Sequence, residues 1–227
     1  KKIEAMGANI IHLYGLTETF GPYTLNFANG KNKFAISADK SKQGFPYIHT
    51  QNGLKVLNPC GEEVPADGVS VGEIVMRSNG VTSGYYKDEI ATEEAFKYGW
   101  FHSGDLGVMH PDGQIEIKDR AKDMIISGGE NVSSQEVENT IMEHPDVLEV
   151  AVVSTPDNYW GEVPKAFVTL VDGSLATEID IIEFCKERIA RFKAPKYVEF
   201  CDLPKTATGK IQKFNLRERE WSSWRVE

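Results

Sequence analysis

Residues Gly104 to Asn131 read GDLGVMHPDGQIEIKDRAKDMIISGGEN, and the change of texture inside this stretch decides the architecture. Up to Asp119, apolar and polar positions alternate on either side of Pro111, Asp112 and Gly113, which is the pattern of two strands joined by a tight turn. Then Asp119, Arg120, Lys122 and Asp123 crowd together around Ala121, followed by a short apolar run and a diglycine. A charged knot between two differently patterned regions predicts a domain boundary near Lys122, dividing the chain into 1–121 and 122–227.

Upstream of the knot the signals are mostly β. GLKVLNPCGEEVP at 53–65 reads as a further hairpin and GEIVMR at 72–77 as a strand. DEIATEEAFKYGW at 88–100 reads as a short helix, with Thr92 as its cap and Gly99 as its end. The opening KKIEAMGANI reads as the end of a helix feeding an apolar strand at 10–14, so the expectation is the C-terminal part of a longer protein. Downstream, Met124 to Ile126 is a strand, and Ser133 with Glu136 forms a capping box for a helix limited by Pro145. Strands at 147–154 and 164–171 precede a helix from Thr177 to Ala190, with Ile181, Cys185 and Ile189 along one face. KYVEFC at 196–201 closes a β-α-β-β-α-β series, so the expected fold class is α+β: a β-rich first part followed by a compact α+β module.

Composition narrows the function. The 227 residues, 41% hydrophobic, suit a globular protein, and a formal charge of −9 argues against general affinity for nucleic acid or anionic membrane. Any anionic ligand must therefore meet a local basic patch. Cys60, Cys185 and Cys201 lie far apart without a CxxC pair, which suits neither a zinc site nor a disulfide framework and points to a reducing compartment. No apolar run approaches the roughly 18 residues of a membrane span, and no leader pattern is evident at the start. His12, His49, His102, His110 and His144 show no ligand spacing.

Two loops could carry chemistry. A glycine pair, Gly128 and Gly129, lets backbone approach a ligand closely, and Lys210 follows Thr206, Thr208 and Gly209 on a flexible loop suited to an anion. A Walker phosphate loop is absent, because Pro204 holds the first glycine's place and Ile211 follows the lysine. Taken alone, Lys210 also reads as an ordinary solvated loop lysine.

Read in order, YGLTET (14–19), GEI (72–74), YYKDEIATEEAF (85–96), WFHSGD (100–105), DRAKDMIISGGENV (119–132) and PKTATGK (204–210) resemble the adenylate-forming superfamily, specifically acyl-CoA synthetases. The likeness runs from Ile10 to about Leu216 and is nearest to plant and bacterial acyl-activating enzymes for short- or medium-chain and aromatic acids. It implies a ligase that joins a small carboxylic acid to AMP from ATP and then to the thiol of coenzyme A. It also implies that 1–121 is the downstream part of the large AMP-binding domain and 122–227 a small, mobile C-terminal domain.

The resemblance makes Tyr14 an adenine-stacking side chain beside Gly15, Thr17 a phosphate contact, and Glu18 a ligand to Mg2+. It makes Asp105 the acceptor of both ribose hydroxyls, where an Asx turn is the alternative. Arg120 would reach ribose and phosphate; its alternative is an ion pair with Asp119 or Asp123. Lys122 matches the hinge, Lys210 the catalytic lysine of adenylation, and Gly128 and Gly129 the wall of a pantetheine channel. Trp160 and Phe192 match aromatics beside that channel, with core packing the alternative for Trp160. The basic segment Lys186 to Lys196 could face coenzyme A phosphates or answer the helix dipole. The glycine- and threonine-rich phosphate loop and much of the acyl pocket would lie upstream of Lys1, leaving only the pocket's edge near Gly15 and Thr19 to Tyr23.

Two other readings share these motifs: an adenylation module that loads a carrier-protein phosphopantetheine, and a non-catalytic piece that binds nucleotide or coenzyme A. The compartment expected is cytoplasmic or peroxisomal, and WSSWRVE is not a Ser-Lys-Leu-type ending.

Overall fold

A computed structural model describes residues 6–7, 11–26, 42–47, 50 and 52–224. Of the helix end expected at the start of the chain only Met6 and Gly7, in a turn, are described, and His49 lies outside the described residues. The chain packs as two units, Lys1–Ala121 and Lys122–Glu227.

In the first unit, β1 (His12–Tyr14), β2 (Thr24–Asn26) and β3 (Phe45–Pro46) form an antiparallel sheet in that order. A second sheet is built from β4 (Leu54–Leu57), β5 (Gly72–Met76), β6 (Phe96–Lys97), β7 (Trp100–Met109) and β8 (Ile115–Arg120). Its order is β4-β5-β7-β6, and the long β7 also carries β8. Alternation along these strands sends Leu54, Val56, Ile74, Met76, Phe101 and Ile115 into one buried core, joined by Tyr14 and Tyr23. The β7–β8 hairpin closes as the sequence predicts: Gly113 takes a left-handed φ of 87°, and His110 N–H donates to the Gln114 carbonyl at 2.8 Å.

Three details differ from the sequence-based expectation. The helix α1 (Glu89–Ala95) is capped by Asp88, whose Oδ1 accepts from Ala91 N at 3.0 Å. Thr92 instead lies inside the helix, its hydroxyl donating to the Asp88 carbonyl at 2.7 Å. Gly99, with φ 75°, turns the β6–β7 hairpin, because Phe96 and Lys97 have already left the helix to pair with Phe101 and Trp100. The run at 53–65 closes on itself through Asn58 N to the Glu62 carbonyl at 2.8 Å, Val64 N to the Val56 carbonyl at 3.0 Å and a bridge between Leu57 and Glu63, without a second regular strand, while β4 pairs along its length with β5.

The second unit holds β9 (Ile125–Ser127), β10 (Glu130–Val132), α2 (Ser134–Ile141), β11 (Val147–Asp157), β12 (Gly161–Leu170), α3 (Glu178–Lys186), β13 (Tyr197–Phe200) and α4 (Lys213–Trp224). The sheet order is β10-β9-β12-β11, with β13 parallel to β12 after the crossover through α3. One sheet face buries Val150, Val152, Ala166 and Val168 against Val137 and Ile141 of α2 and Ile181 and Cys185 of α3. The opposite face buries Ala151, Val153 and Phe167 against Leu203, in the segment after β13, and against Leu216 of α4. Both α2 and α3 begin on side-chain caps: Ser133 accepts from Glu136 N at 3.2 Å, and Thr177 and Asp180 bond each other's backbone N–H. Regular α3 stops at Lys186, short of the expected Ala190, although Ile189 still packs on the core. The fold is α+β, with β10 and α4 added to the expected series. Among the described residues, no helix is long and apolar enough to cross a membrane.

Candidate functional site

The first unit gathers two of the candidate residues, Tyr14 and Arg120, around the carboxylate of a third, Asp105. Asp105 sits on β7 directly opposite Arg120 of β8, and its side chain is only 9% exposed. Its Oδ2 accepts from the Tyr14 hydroxyl at 2.8 Å, and its Oδ1 lies 3.4 Å from Arg120 Nε. Arg120 therefore turns to Asp105, and neither sequence alternative describes its side chain: Asp119 takes the Arg120 backbone N–H at 2.8 Å, and Asp123 pairs with Arg217 at 2.6 Å. The guanidinium stays 49% exposed, able to reach a second anion.

Tyr14 is 8% exposed and belongs to the unit's core, so its hydroxyl is its main point of contact with this centre. Burial, then the neighbouring Asp105 charge, push its phenol far above the ordinary range, keeping it a neutral donor. Gly15 is required sterically: a Cβ there would stand 2.1 Å from the Gly21 carbonyl oxygen. That closure folds Thr17–Thr19 into a single 3-10 turn, leaving Thr17 exposed. Glu18 is held from behind, its Oε1 accepting from the Tyr85 hydroxyl at 3.0 Å and its carbonyl from Thr82 N at 2.7 Å. Tyr85 also lines an open depression of about 550 Å³ with Ser83, Gly84, Tyr86, Lys87 and Thr92.

No group of three or more metal-ligating side chains occurs among the described residues. A lone carboxylate such as Glu18 nonetheless suits Mg2+ carried by a nucleotide, since that ion takes one or two carboxylates together with substrate phosphates and waters.

The bulge that presents Asp105 goes beyond the sequence-based expectation. Between Glu73 and Val75 of β5, β7 advances from Leu106 to His102, so Ser103, Gly104 and Asp105 loop out of register. Gly104 makes the bend at φ 73°. Glu73 grips it with both oxygens, Oε1 accepting from Gly104 N at 2.9 Å and Oε2 lying 2.6 Å from His102 Nδ1. The Ser103 hydroxyl donates to the Ile74 carbonyl at 2.6 Å and accepts from Asp105 N at 3.1 Å. The only sequence signal for this clamp is the GEI triplet, which by itself carries no role.

The second unit brings together the diglycine and Trp160. Gly128 N donates to the Trp160 carbonyl at 2.9 Å, and a Cβ on Gly128 would stand 2.5 Å from the indole. Trp160 is 48% exposed in the turn between β11 and β12, so it is not a core residue. Asp157 holds that turn, its Oδ1 accepting from Tyr159 N and Trp160 N, each at 2.9 Å. Lys196 pairs with its other oxygen. Gly129, at φ 87°, would place a side chain in open space. Phe192 is exposed beside Lys193, which bonds Glu136, and no ring contact joins Phe192 to Trp160.

Lys210 closes a short loop through Thr206 N to its carbonyl at 2.8 Å, and its ammonium meets no partner among the described residues. Lys122, the first residue of its unit, is exposed in a turn.

Comparison with known proteins matches both units. The AMP-binding enzyme family covers residues 1–86, and the AMP-binding enzyme C-terminal domain covers 136–210. A 4-hydroxybutyrate–CoA ligase of Metallosphaera sedula is 48% identical over 96% of the chain and 40% of its own length. An acetate–CoA ligase of Humulus lupulus is 52% identical over 94% of the chain and 39% of its length. The ATP-bound crystal structure of MatB from Rhodopseudomonas palustris superposes with a TM-score of 0.83 at 32% identity, covering 94% of the chain and 41% of MatB. The chain thus spans about two fifths of the length of these relatives.

Proposed function

Starting from a chain that belongs to the AMP-binding, adenylate-forming enzymes, we propose that the whole protein is an ATP-dependent acid:CoA ligase of which this is the C-terminal portion. Residues 1–121 would be the downstream part of the large AMP-binding domain, and 122–227 the C-terminal domain. A carboxylate is a poor electrophile. The proposed reaction first joins it to AMP, releasing pyrophosphate, and a thiol then displaces AMP to leave a thioester.

The observation that carries this reading is the Asp105 centre. An ionised carboxylate has about four lone-pair sites. Tyr14 and Arg120 meet one oxygen each, which orients the group and leaves acceptor capacity for two ribose hydroxyls. The exposed Arg120 guanidinium would reach the phosphate, Thr17 would add a hydroxyl, and Tyr14 with Gly15 would border the adenine. Glu18 would hold the Mg2+ of ATP, which supplies charge neutralisation at the phosphates. The Lys210 ammonium, without a partner among the described residues, suits the charge that develops between carboxylate and α-phosphate. In the thiol-transfer step the Gly128–Trp160 wall, with Gly129 and Phe192, would line the pantetheine path. Lys122 would be the pivot between two arrangements, one that brings Lys210 to the adenylation step and one that brings the Gly128–Gly129 loop to the thiol step.

Acetate and 4-hydroxybutyrate are the acids to try first, given the substrates in the names of the relatives. The compartment proposed is the cytoplasm or the peroxisome. Isothermal titration of the whole protein with AMP tests the reading. Asp105→Ala should weaken AMP by about tenfold or more, the loss expected for hydrogen bonds to a charged group, and an unchanged affinity contradicts it. Thioester formation with free coenzyme A, against transfer only to a phosphopantetheine carrier, separates the ligase from a carrier-loading module. Nucleotide binding without either turnover would mean a non-catalytic protein.

A further inference from the structure

We propose that Glu73 is a positioning residue for the nucleotide site, fixing the β7 bulge so that Asp105 faces the ribose hydroxyls. The inference rests on the nucleotide reading of Asp105 given above.

An out-of-register segment between two paired strands leaves backbone groups without ladder partners, and side chains in this bulge answer them. Gly104 N–H goes to Glu73 Oε1 at 2.9 Å and the Ile74 carbonyl to the Ser103 hydroxyl at 2.6 Å. The Gly104 carbonyl accepts from Ala121 N at 2.8 Å, tying the bulge to the end of β8 next to Arg120. Glu73 also holds His102 through its second oxygen at 2.6 Å, and His102 Nε2 lies 3.2 Å from the Lys97 carbonyl. One carboxylate therefore grips the residues on both sides of Ser103. Gly104 lacks a Cβ and sits at φ 73°, so without this grip it is the residue freest to flip. A flip there would swing Asp105, its immediate neighbour, away from Tyr14 and Arg120. Glu73 reaches none of these partners itself, so its effect on nucleotide passes through Asp105.

Two measurements on the whole protein test this, using Glu73→Ala and Glu73→Gln. In the Ala variant, amide hydrogen exchange should accelerate in peptides covering Phe101 to Leu106 and stay unchanged across β4. The Ala variant should bind AMP about tenfold more weakly, as expected for a lost charge-assisted contact. Its affinity for 2′,3′-dideoxy-AMP, which has no ribose hydroxyls for Asp105, should move less than about twofold. The Gln variant keeps an acceptor for Gly104 N–H and should bind AMP nearly as the unaltered protein does. Unchanged exchange at the bulge, equal weakening of both nucleotides, or a Gln variant as weak as Ala would each overturn the proposal. An unaltered protein that binds both nucleotides equally would refute the ribose reading of Asp105, and the exchange measurement would still decide whether Glu73 holds the bulge.

Discussion

Asp105 shows how single residues acquire roles from partners far away in sequence. Its orientation comes from Tyr14, 91 residues upstream, and from Arg120 across the hairpin. Gly129 is the opposite case, a residue defined by what it lacks. With φ 87° and nothing within 4 Å of the point where a Cβ would stand, Gly129→Leu should fold with modest strain and fill space at the proposed thiol path. In the whole protein this variant should form acyl-adenylate at a normal rate while thioester formation falls about tenfold or more. Equal damage to both half-reactions would remove Gly129 from the thiol path. The cysteines give a simpler check on burial. Burial pushes the Cys185 thiol up to about 11, whereas Cys60 is exposed. Alkylation near neutral pH should therefore label Cys60 first and leave Cys185 until the protein unfolds. Early labelling of Cys185 would contradict the packing of α3.

At the scale of elements, the β11–β12 turn is the part most open to test by pH. Hydrogen bonds from Lys196, then from Trp160 and Tyr159 N–H, hold the Asp157 carboxyl down to about 2. A carboxyl depressed on folding stabilises the turn above its unfolded value of 3.8, and that contribution disappears as pH falls towards about 2. Trp160 fluorescence, isolated by subtracting a Trp160→Phe variant, should change across that window. Asp157→Asn should abolish the step, and a step that survives the substitution would assign it to another group. The elements also show what is readable from sequence. The β7–β8 hairpin, the cap at Ser133 and the Ile181–Cys185 stripe follow from local pattern, and the structure contains them. β10 is three residues long, and α4 buries only Leu216, so neither carries a periodic signal. At α1, Asp88 and Thr92 are both capping residue types, and only the turn leading in from Tyr85 selects Asp88. The clamp from Glu73 to Gly104 spans 31 residues and depends on a register shift, which no alternation of apolar and polar residues encodes.

At the scale of the molecule, the two units carry different halves of the proposed chemistry. Residues 1–121 hold the Tyr14–Asp105–Arg120 centre and Glu18; residues 122–227 hold the Gly128–Trp160 wall and Lys210. Because Lys210 and the Gly128–Trp160 wall, both in residues 122–227, are proposed to act in different steps, damage to them should segregate by half-reaction, which a single rigid site would not allow. Lys210→Ala in the whole protein is the most direct test, using whichever acid the unaltered enzyme accepts. Pyrophosphate exchange into ATP should fall by about a hundredfold or more, as for loss of a charge-stabilising donor, while thioester formation from supplied acyl-AMP should stay within about threefold. If both half-reactions fall together, or if exchange is untouched, Lys210 does not serve adenylation alone and the two-arrangement account is wrong.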